Sequence, residues 1–325
     1  MNRIPAPADM ATAIAALETG AIISPLTAHG LLRFSGEDTL TFLHGQFSSD
    51  IKALDEQHAQ YSSYSTAKGR MLASFLVFRA AGDYWLQMSA DILPAIQKRL
   101  SMYILRSKTK AVDASQDYAM IGIAGSQAAQ IARTIVPQQP TQALTVQHEG
   151  ALTLISLPEG RYQIVVPAEQ TADTWAKLAA AGAIPADESI WRLSEIRAGI
   201  PWVTAPTQEA FVPQMANLDL LGGVSFTKGC YTGQEIVART QHLGKIKRRM
   251  FRARIAAESV AAGQEVFSPE MNGQHSGQIL LAAPATPGST EALVVAQISS
   301  IEHGLHLGSL EGPQLQMLDL PYSIE

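Results

Sequence analysis

Lys228-Gly229-Cys230-Tyr231-Thr232-Gly233-Gln234-Glu235 is the stretch on which the reading of this chain turns. Gly222-Gly223 precedes it, and Ile236-Val237-Ala238-Arg239 continues it with helical character. The pattern predicts a helix running to about Leu243 and stopping at Gly244, with Cys230 just before or in its first turn. Unpaired N–H groups and the helix dipole favour negative charge there, and Lys228 adds a cation two residues away. The sequence therefore predicts a thiolate-stabilising setting for Cys230. Gly229 and Gly233 remove side chains on either side, which opens the backbone to a ligand. Glu235 and Arg239 stand i,i+4 and are expected to pair. A cysteine used only for packing usually sits among apolar residues. This one lies between Gly229 and Tyr231, close to a lysine, and is read as functional.

Outward from this stretch, the N-terminal half alternates strand and helix. Asp9 is expected to cap a helix through Glu18, with Gly20 as its stop. Leu31–Phe34 reads as a strand, and Ser35 as the cap of a helix from Gly36 to about His44, ended by Gly45. Met71–Arg79 and Tyr84–Met88 read as a hairpin across Ala81-Gly82-Asp83. Ser89 is expected to cap a helix with Ile92, Ile96, Leu100 and Tyr103 on one face. Tyr118–Ala124 is strand-like, Ser126 opens a helix with Ile131 and Ile135, and Ala151–Leu157 with Tyr162–Val166 reads as a second hairpin. A helix carrying Trp175 and Leu178 stops near Gly182. Val136-Pro137-Gln138-Gln139-Pro140 is the best linker-like stretch. No Gly-rich nucleotide loop follows a strand and no βαβ regularity appears, so the fold class is α+β. Beyond Gly244, Met250–Ile255 alternates Arg252 and Arg254 with Phe251, Ala253 and Ile255. Short strands near Val266, Gln278–Leu281 and Ala292–Ile298 follow, which predicts a small C-terminal β-barrel or sandwich.

The chain has 325 residues, 46% hydrophobic and 16% charged. That is ample material for a core and, by length, for two or three domains. A net charge of -5 and a pI of about 5.9 disfavour a nucleic-acid-coating protein while allowing a local basic patch. One cysteine excludes an intramolecular disulfide. The eight histidines show no His-x3-His spacing, so no dedicated metal site is expected. Met1–Gly20 lacks the pattern of a signal peptide, and no run of about 18 apolar residues exists. A cytoplasmic protein that does not span a membrane is expected.

The octapeptide Lys228–Glu235 resembles the signature of the YgfZ family. Arg197-Ala198-Gly199-Ile200-Pro201, Phe211-Val212-Pro213-Gln214 and Asn217-Leu218-Asp219 resemble its context. So do Phe42-Leu43-His44-Gly45-Gln46 with Asp50-Ile51, and Lys68-Gly69-Arg70. The resemblance covers most of the chain. It implies a fold similar to the glycine-cleavage T-protein, three lobes around a central opening that holds tetrahydrofolate or a one-carbon derivative. Two α+β lobes, about 1–112 with 186–244 and 113–185, would form a region 1–244, with a β-barrel over 245–325. The resemblance also implies a role in making or maintaining iron–sulfur enzymes, among them the radical enzyme that methylthiolates tRNA, so that client or assembly proteins are the expected partners.

The T-protein itself transfers an aminomethyl carbon, and its relatives carry acidic residues where this chain reads Met71-Leu72-Ala73-Ser74-Phe75. Their Leu-Glu-Ala-Gly run is Ile196-Arg197-Ala198-Gly199 here. The missing carboxylates favour folate binding without that transfer chemistry, with one-carbon transfer as the alternative and Asp50 or Glu195 as substitute acids. A [4Fe–4S] cluster takes four thiolates and this chain supplies one. Cys230 is therefore expected to act transiently, as one ligand of a shared cluster, as a thiolate meeting a partner's sulfur, or as a redox-sensitive nucleophile. Folate asks for apolar or aromatic walls, amides for the pterin edge and cations for its acidic tail. The candidates are Tyr64, Tyr231 and Trp202 as walls; Gln46, Gln214, Asn217, Gln234 and Glu235 as polar groups; and Lys228, Arg70 and Arg197 as cations. The densest positive run, Lys245-Ile246-Lys247-Arg248-Arg249 with Arg252 and Arg254, reads as a solvated strand edge. Direct tRNA contact or a scaffold role through 245–254 is the less favoured use.

Overall fold

A computed structural model describes residues 6–138, 142–242, 244 and 246–324. In chain order the first elements are α1 (Met10–Thr19), β1 (Ile22–Pro25), β2 (His29–Ser35), α2 (Thr39–Gln46), β3 (Ala59–Ser65), β4 (Met71–Ala80), β5 (Asp83–Ser89), α3 (Leu93–Ile104) and β6 (Lys110–Asp113). Next come β7 (Tyr118–Ala124), α4 (Ala128–Ala132), β8 (Val146–Glu149), β9 (Leu152–Leu157), β10 (Arg161–Pro167), α5 (Thr171–Ala180), β11 (Ile184–Pro185), α6 (Glu188–Arg197) and α7 (Gln234–His242). The last are β12 (Arg248–Ile255), β13 (Glu265–Phe267), β14 (His275–Thr286), β15 (Ser289–Gln297), β16 (His306–Leu307) and β17 (Leu315–Leu318). The chain divides into two compact units. One comprises Met1–Thr39, Ala53–Gln60 and Leu76–Ser194; the other comprises Leu40–Lys52, Tyr61–Phe75 and Glu195–Glu325.

The first unit is built on a six-stranded sheet in the order β11-β1-β7-β10-β9-β8. Strand side chains alternate between faces. Ile121 and Ile123 of β7 and Ile164 and Val166 of β10 join a buried cluster with Ile131 of α4 and Trp175 and Leu178 of α5. Gly122 points the other way, where a Cβ would lie 2.4 Å from the Trp191 ring of α6, so only glycine admits that indole. On the same face Gln163 Nε2 donates to Gln87 Oε1 of β5 at 2.7 Å, a buried polar pair in which Gln87 Nε2 itself finds no acceptor. The end of β4 pairs with β5, β5 with β2 and β2 with β6, all antiparallel.

The second unit carries the C-terminal sheet in the order β16-β13-β14-β15-β12-β17. Ala253, Ile255, Ile279, Ala292, Val294 and Leu315 fill its interior. Register shifts in β13 and β14 bend it. His306 bridges Gln314, and Leu307 N–H donates to the Pro313 carbonyl at 2.9 Å. The sheet curls into a half-barrel whose two edges meet at this bridge, where the sequence predicts a small barrel.

Several expected boundaries move. Ser35 ends β2 rather than capping a helix. Gly36 turns at φ +124 and a Cβ there would meet the Lys108 carbonyl at 2.1 Å. Asp38 then spends its N–H and carboxylate on Lys108, so α2 starts at Thr39 and runs through Gly45 to Gln46. Ser89 belongs to β5, and α3 starts at Leu93 with Pro94 in its first turn. Tyr103 is half exposed, and the buried face is Leu93, Ile96 and Leu100. Ile135 lies beyond α4. Gln139 and Pro140 of the linker-like stretch, Leu243 and Lys245 lie outside the described residues.

Candidate functional site

Cys230 is exposed. It does not lie in the first turn of a helix, because α7 starts only at Gln234. Gly233 has φ +85, a left-handed value that no helical turn accepts, so it sets the helix start. A Cβ on Gly233 would lie 2.5 Å from the Thr66 carbonyl oxygen and 3.0 Å from the Gly69 Cα. Gly69, at φ +70, packs in turn against Ile236. The Lys68-Gly69-Arg70 turn and the end of the octapeptide touch through their two glycines. The first turn of α7 therefore begins four residues after Cys230 rather than at it.

Lys228 also has another task. Its Nζ donates to the carbonyls of His44 at 2.6 Å, Phe47 at 2.6 Å and Ser49 at 2.9 Å. An ammonium has three donors, and all three are used. Nζ lies 4.9 Å from the Tyr231 ring centroid, a cation–π contact in a dry setting. Burial pulls the Lys228 pKa down to about 8, with Asp50 opposing and Lys52 reinforcing the shift. Burial pushes the Tyr231 hydroxyl up to about 12. Lys228 is thus an internal strap holding residues 44–49 and the octapeptide together, and its three donors are spent on carbonyls rather than offered to a ligand's tail.

Serines complete the clasp. Ser48 Oγ donates to the Gly223 carbonyl at 2.7 Å, and Ser225 N–H donates to the Ser48 carbonyl at 2.8 Å. Ser63 N–H donates to Ser48 Oγ at 2.9 Å, and Ser49 Oγ donates to Ser62 Oγ at 2.8 Å. All four hydroxyl side chains are buried. The sequence reading missed them, although Ser48-Ser49 and Ser62-Ser63 are an odd use of polar residues beside Phe47 and inside a strand. It also missed His44, whose Nε2 lies 3.9 Å from where a Gly229 Cβ would stand. His44 Nδ1 is 3.3 Å from Asp50 Oδ1. Desolvation and Lys228 hold the imidazole below its usual pKa, against the pull of Asp50.

The other candidates separate into two groups. Asn217 is fully buried and in the left-handed region. Its amide donates to the Met250 carbonyl at 2.8 Å and accepts from Met250 N–H at 3.3 Å, fixing the start of β12. Arg197 pairs with Glu291 at 3.2 Å. Tyr64 and Trp202 are core aromatics, and Trp202 Nε1 donates to Glu195 at 2.8 Å. Arg70 donates to the Ala210 carbonyl at 2.5 Å. These residues are committed to the protein itself. Gln46 and Gln234 are half buried and Glu235 is exposed, and no ion pair joins Glu235 to Arg239 among the described residues. Gln214 is fully buried, its Nε2 donates to the Val237 carbonyl at 2.7 Å, and its Oε1 has no donor.

Three arginines of the basic run are paired within the protein. Arg249 is buried and donates to Asp219 at 2.7 Å and to the Gln214 carbonyl at 2.8 Å. Arg252 and Arg254 join Arg197 around the fully buried Glu291, at 3.0 and 3.4 Å. Burial alone would raise the Glu291 carboxyl, but the bonds and charges of Arg197 and Arg252 outweigh it and hold the pKa low. Among the described residues no group of three or more His, Cys, Asp or Glu is placed to hold a metal ion. No helix among them is long and apolar enough to cross a membrane.

Residues 7–186 match the family model of the GCVT N-terminal domain. The chain is 32% identical over 270 residues to the tRNA-modifying protein YgfZ of Colwellia psychrerythraea, covering 81% of this chain and 82% of that one. It is 33% identical over 264 residues to the protein of the same name from Yersinia pestis, covering 80% and 79%. The structure of the glycine cleavage system aminomethyltransferase T from Bartonella henselae superposes with a TM-score of 0.78 at 15% identity, covering 96% of this chain and 89% of that one. The fold is therefore the T-protein fold.

Proposed function

The chain belongs to the YgfZ family, and from that premise we propose that it is a tetrahydrofolate-binding accessory protein that presents Cys230 to iron–sulfur client enzymes. The observation that carries this reading is an exposed thiol on a backbone that cannot drift. Lys228 and the buried serines fix the chain two to seven residues before Cys230, while the sulfur itself faces solvent. Such a thiol suits a macromolecular encounter better than enclosed catalysis. Relatives named for tRNA modification fit clients among the radical enzymes that modify tRNA.

The residues suit a reduced folate in one specific way. A pterin edge is rich in N–H donors, and Gln214 Oε1 is a buried acceptor without one. Gln214, Gln46 and Gln234 are the proposed pterin-side groups, with Glu235 at the edge. Folate would supply a carrier for a one-carbon unit. The expected domain division, with a folate-binding region over 1–244 and a barrel over 245–325, is part of the same proposal.

Aminomethyl transfer is the second reading, favoured by the fold alone. Against it, Met71–Phe75 is buried and carries no carboxylate, and Glu195 is buried against Trp202. Calorimetric titration with tetrahydrofolate tests the ligand; no heat at about 1 mM, a weak-binding limit of roughly 4 kcal/mol, sinks the folate reading. Rescue of iron–sulfur enzyme activity in a deletion strain by Cys230→Ala tests the thiol, and full rescue removes its role. Turnover of a labelled methylene donor by the purified protein alone would establish the second reading instead.

A further inference from the structure

The last turn of α3 and the neighbouring strand β6 expose apolar side chains that the core does not claim. Met102 is 59% exposed, Tyr103 50%, Leu105 86% and Val112 40%. They are not scattered. Gln97 Nε2 of α3 donates to the Ala111 carbonyl of β6 at 3.1 Å, which ties the helix to the strand that carries Val112. The inner face of α3 is already occupied by Leu93, Ile96 and Leu100, so Met102 and Leu105 have no internal surface left to cover. Leu105 also takes φ +43, a strained value for a branched side chain at an open position.

The charge around this patch is mainly positive. Between the flanking Asp91 and Asp113 the sequence holds Lys98, Arg99, Arg106, Lys108 and Lys110, in a chain whose net charge is -5. Lys108 pairs with Glu37 at 2.8 Å. Lys98, Arg106 and Lys110 are exposed and have no acidic partner among the described residues. Exposed hydrophobes on a helix end and its neighbouring strand, with unpaired cations beside them, mark an interaction surface.

We propose that this surface docks a protein partner that offers an acidic face carrying apolar side chains. Charge complementarity selects the acidic partner, and the apolar centre supplies the anchors. Nucleic acid suits the surface poorly, since Tyr103 is its one aromatic side chain and Leu, Met and Val offer no stacking platform. A bilayer suits it poorly too, because the apolar strip occupies one helical turn rather than a helix length.

The test uses the full chain, labelled with nitrogen-15, and a synthetic peptide with Leu and Phe spaced among glutamates. Amide shifts should concentrate in residues 98–112. Lys98→Glu/Arg106→Glu and, separately, Met102→Ser/Leu105→Ser should each weaken binding by about tenfold or more. A peptide with lysine in place of each glutamate should recover binding to the charge-reversed variant. The proposal is overturned by absent binding, by equal binding of all variants, or by self-association through the patch. It is equally overturned if bulk tRNA, or vesicles of phosphatidylcholine and phosphatidylglycerol, move the same amides while the acidic peptide does not.

Discussion

Lys228 Nζ donates to the Phe47 carbonyl at 2.6 Å, across 181 residues of sequence. That bond, with its two companions to His44 and Ser49, makes the octapeptide and the end of α2 one body. Its strength comes from seclusion: a buried charge with every donor satisfied is held firmly, and one with a missing partner is costly.

Lys228 and Cys230 should therefore separate in their effects. Lys228→Ala leaves three carbonyls without their donor and should cost about 3 kcal/mol. Cys230→Ala removes an exposed sulfur and should stay within about 0.5 kcal/mol of the parent. Urea denaturation of both variants checks this; equal losses would mean that the lysine is not the strap.

The Lys228 ammonium should show itself in the alkaline range. Its folded pKa of about 8 lies below the ordinary lysine value of 10.5. Between those values the unfolded chain holds a proton that the folded chain has released, so stability from this group rises with pH. Denaturation of the parent and Lys228→Met at pH 7 and pH 10 should shift the difference in favour of the parent at the higher pH. A constant difference contradicts the shifted pKa.

Glu291 should dominate the acid response of the C-terminal sheet. Its folded pKa is depressed, so its contribution is present above the ordinary carboxylate pKa and is lost as pH falls through the folded value. Glu291→Gln leaves Arg197, Arg252 and Arg254 without their shared counter-charge and should cost about 3 kcal/mol near neutrality. The loss should shrink in acid, as the pH falls through the folded value and the parent carboxyl takes up its proton. Denaturation midpoints followed from pH 7 downward read both effects.

Gly233→Ala should be worse than its size implies. The new Cβ would lie 2.5 Å from the Thr66 carbonyl oxygen on a backbone at φ +85. A cost of about 1–3 kcal/mol is expected, with amide shifts in residues 66–70 as well as 229–236. Shifts confined to α7 would contradict the glycine–glycine contact.

The elements of both halves were legible because side-chain periodicity is local. Tyr118–Ala124 was read to the residue, and the hairpins fall within a residue or two of their strands. Helix starts failed where a distant group decided them: Asp38 serves Lys108 rather than α2, and Gly233, pressed on Gly69, delays α7.

The sequence by itself determined the α+β class, the C-terminal strands and the single thiol that marks the octapeptide, since composition and short-range pattern specify these. Tertiary structure alone decided what each polar side chain does. Asn217, Arg197 and Lys228 read equally well as ligand contacts until partners 33, 94 and 181 residues away, Met250, Glu291 and Phe47, were seen to use them. The reason is physical: a buried donor must be satisfied, and which acceptor reaches it depends on how the chain returns, not on its neighbours in sequence.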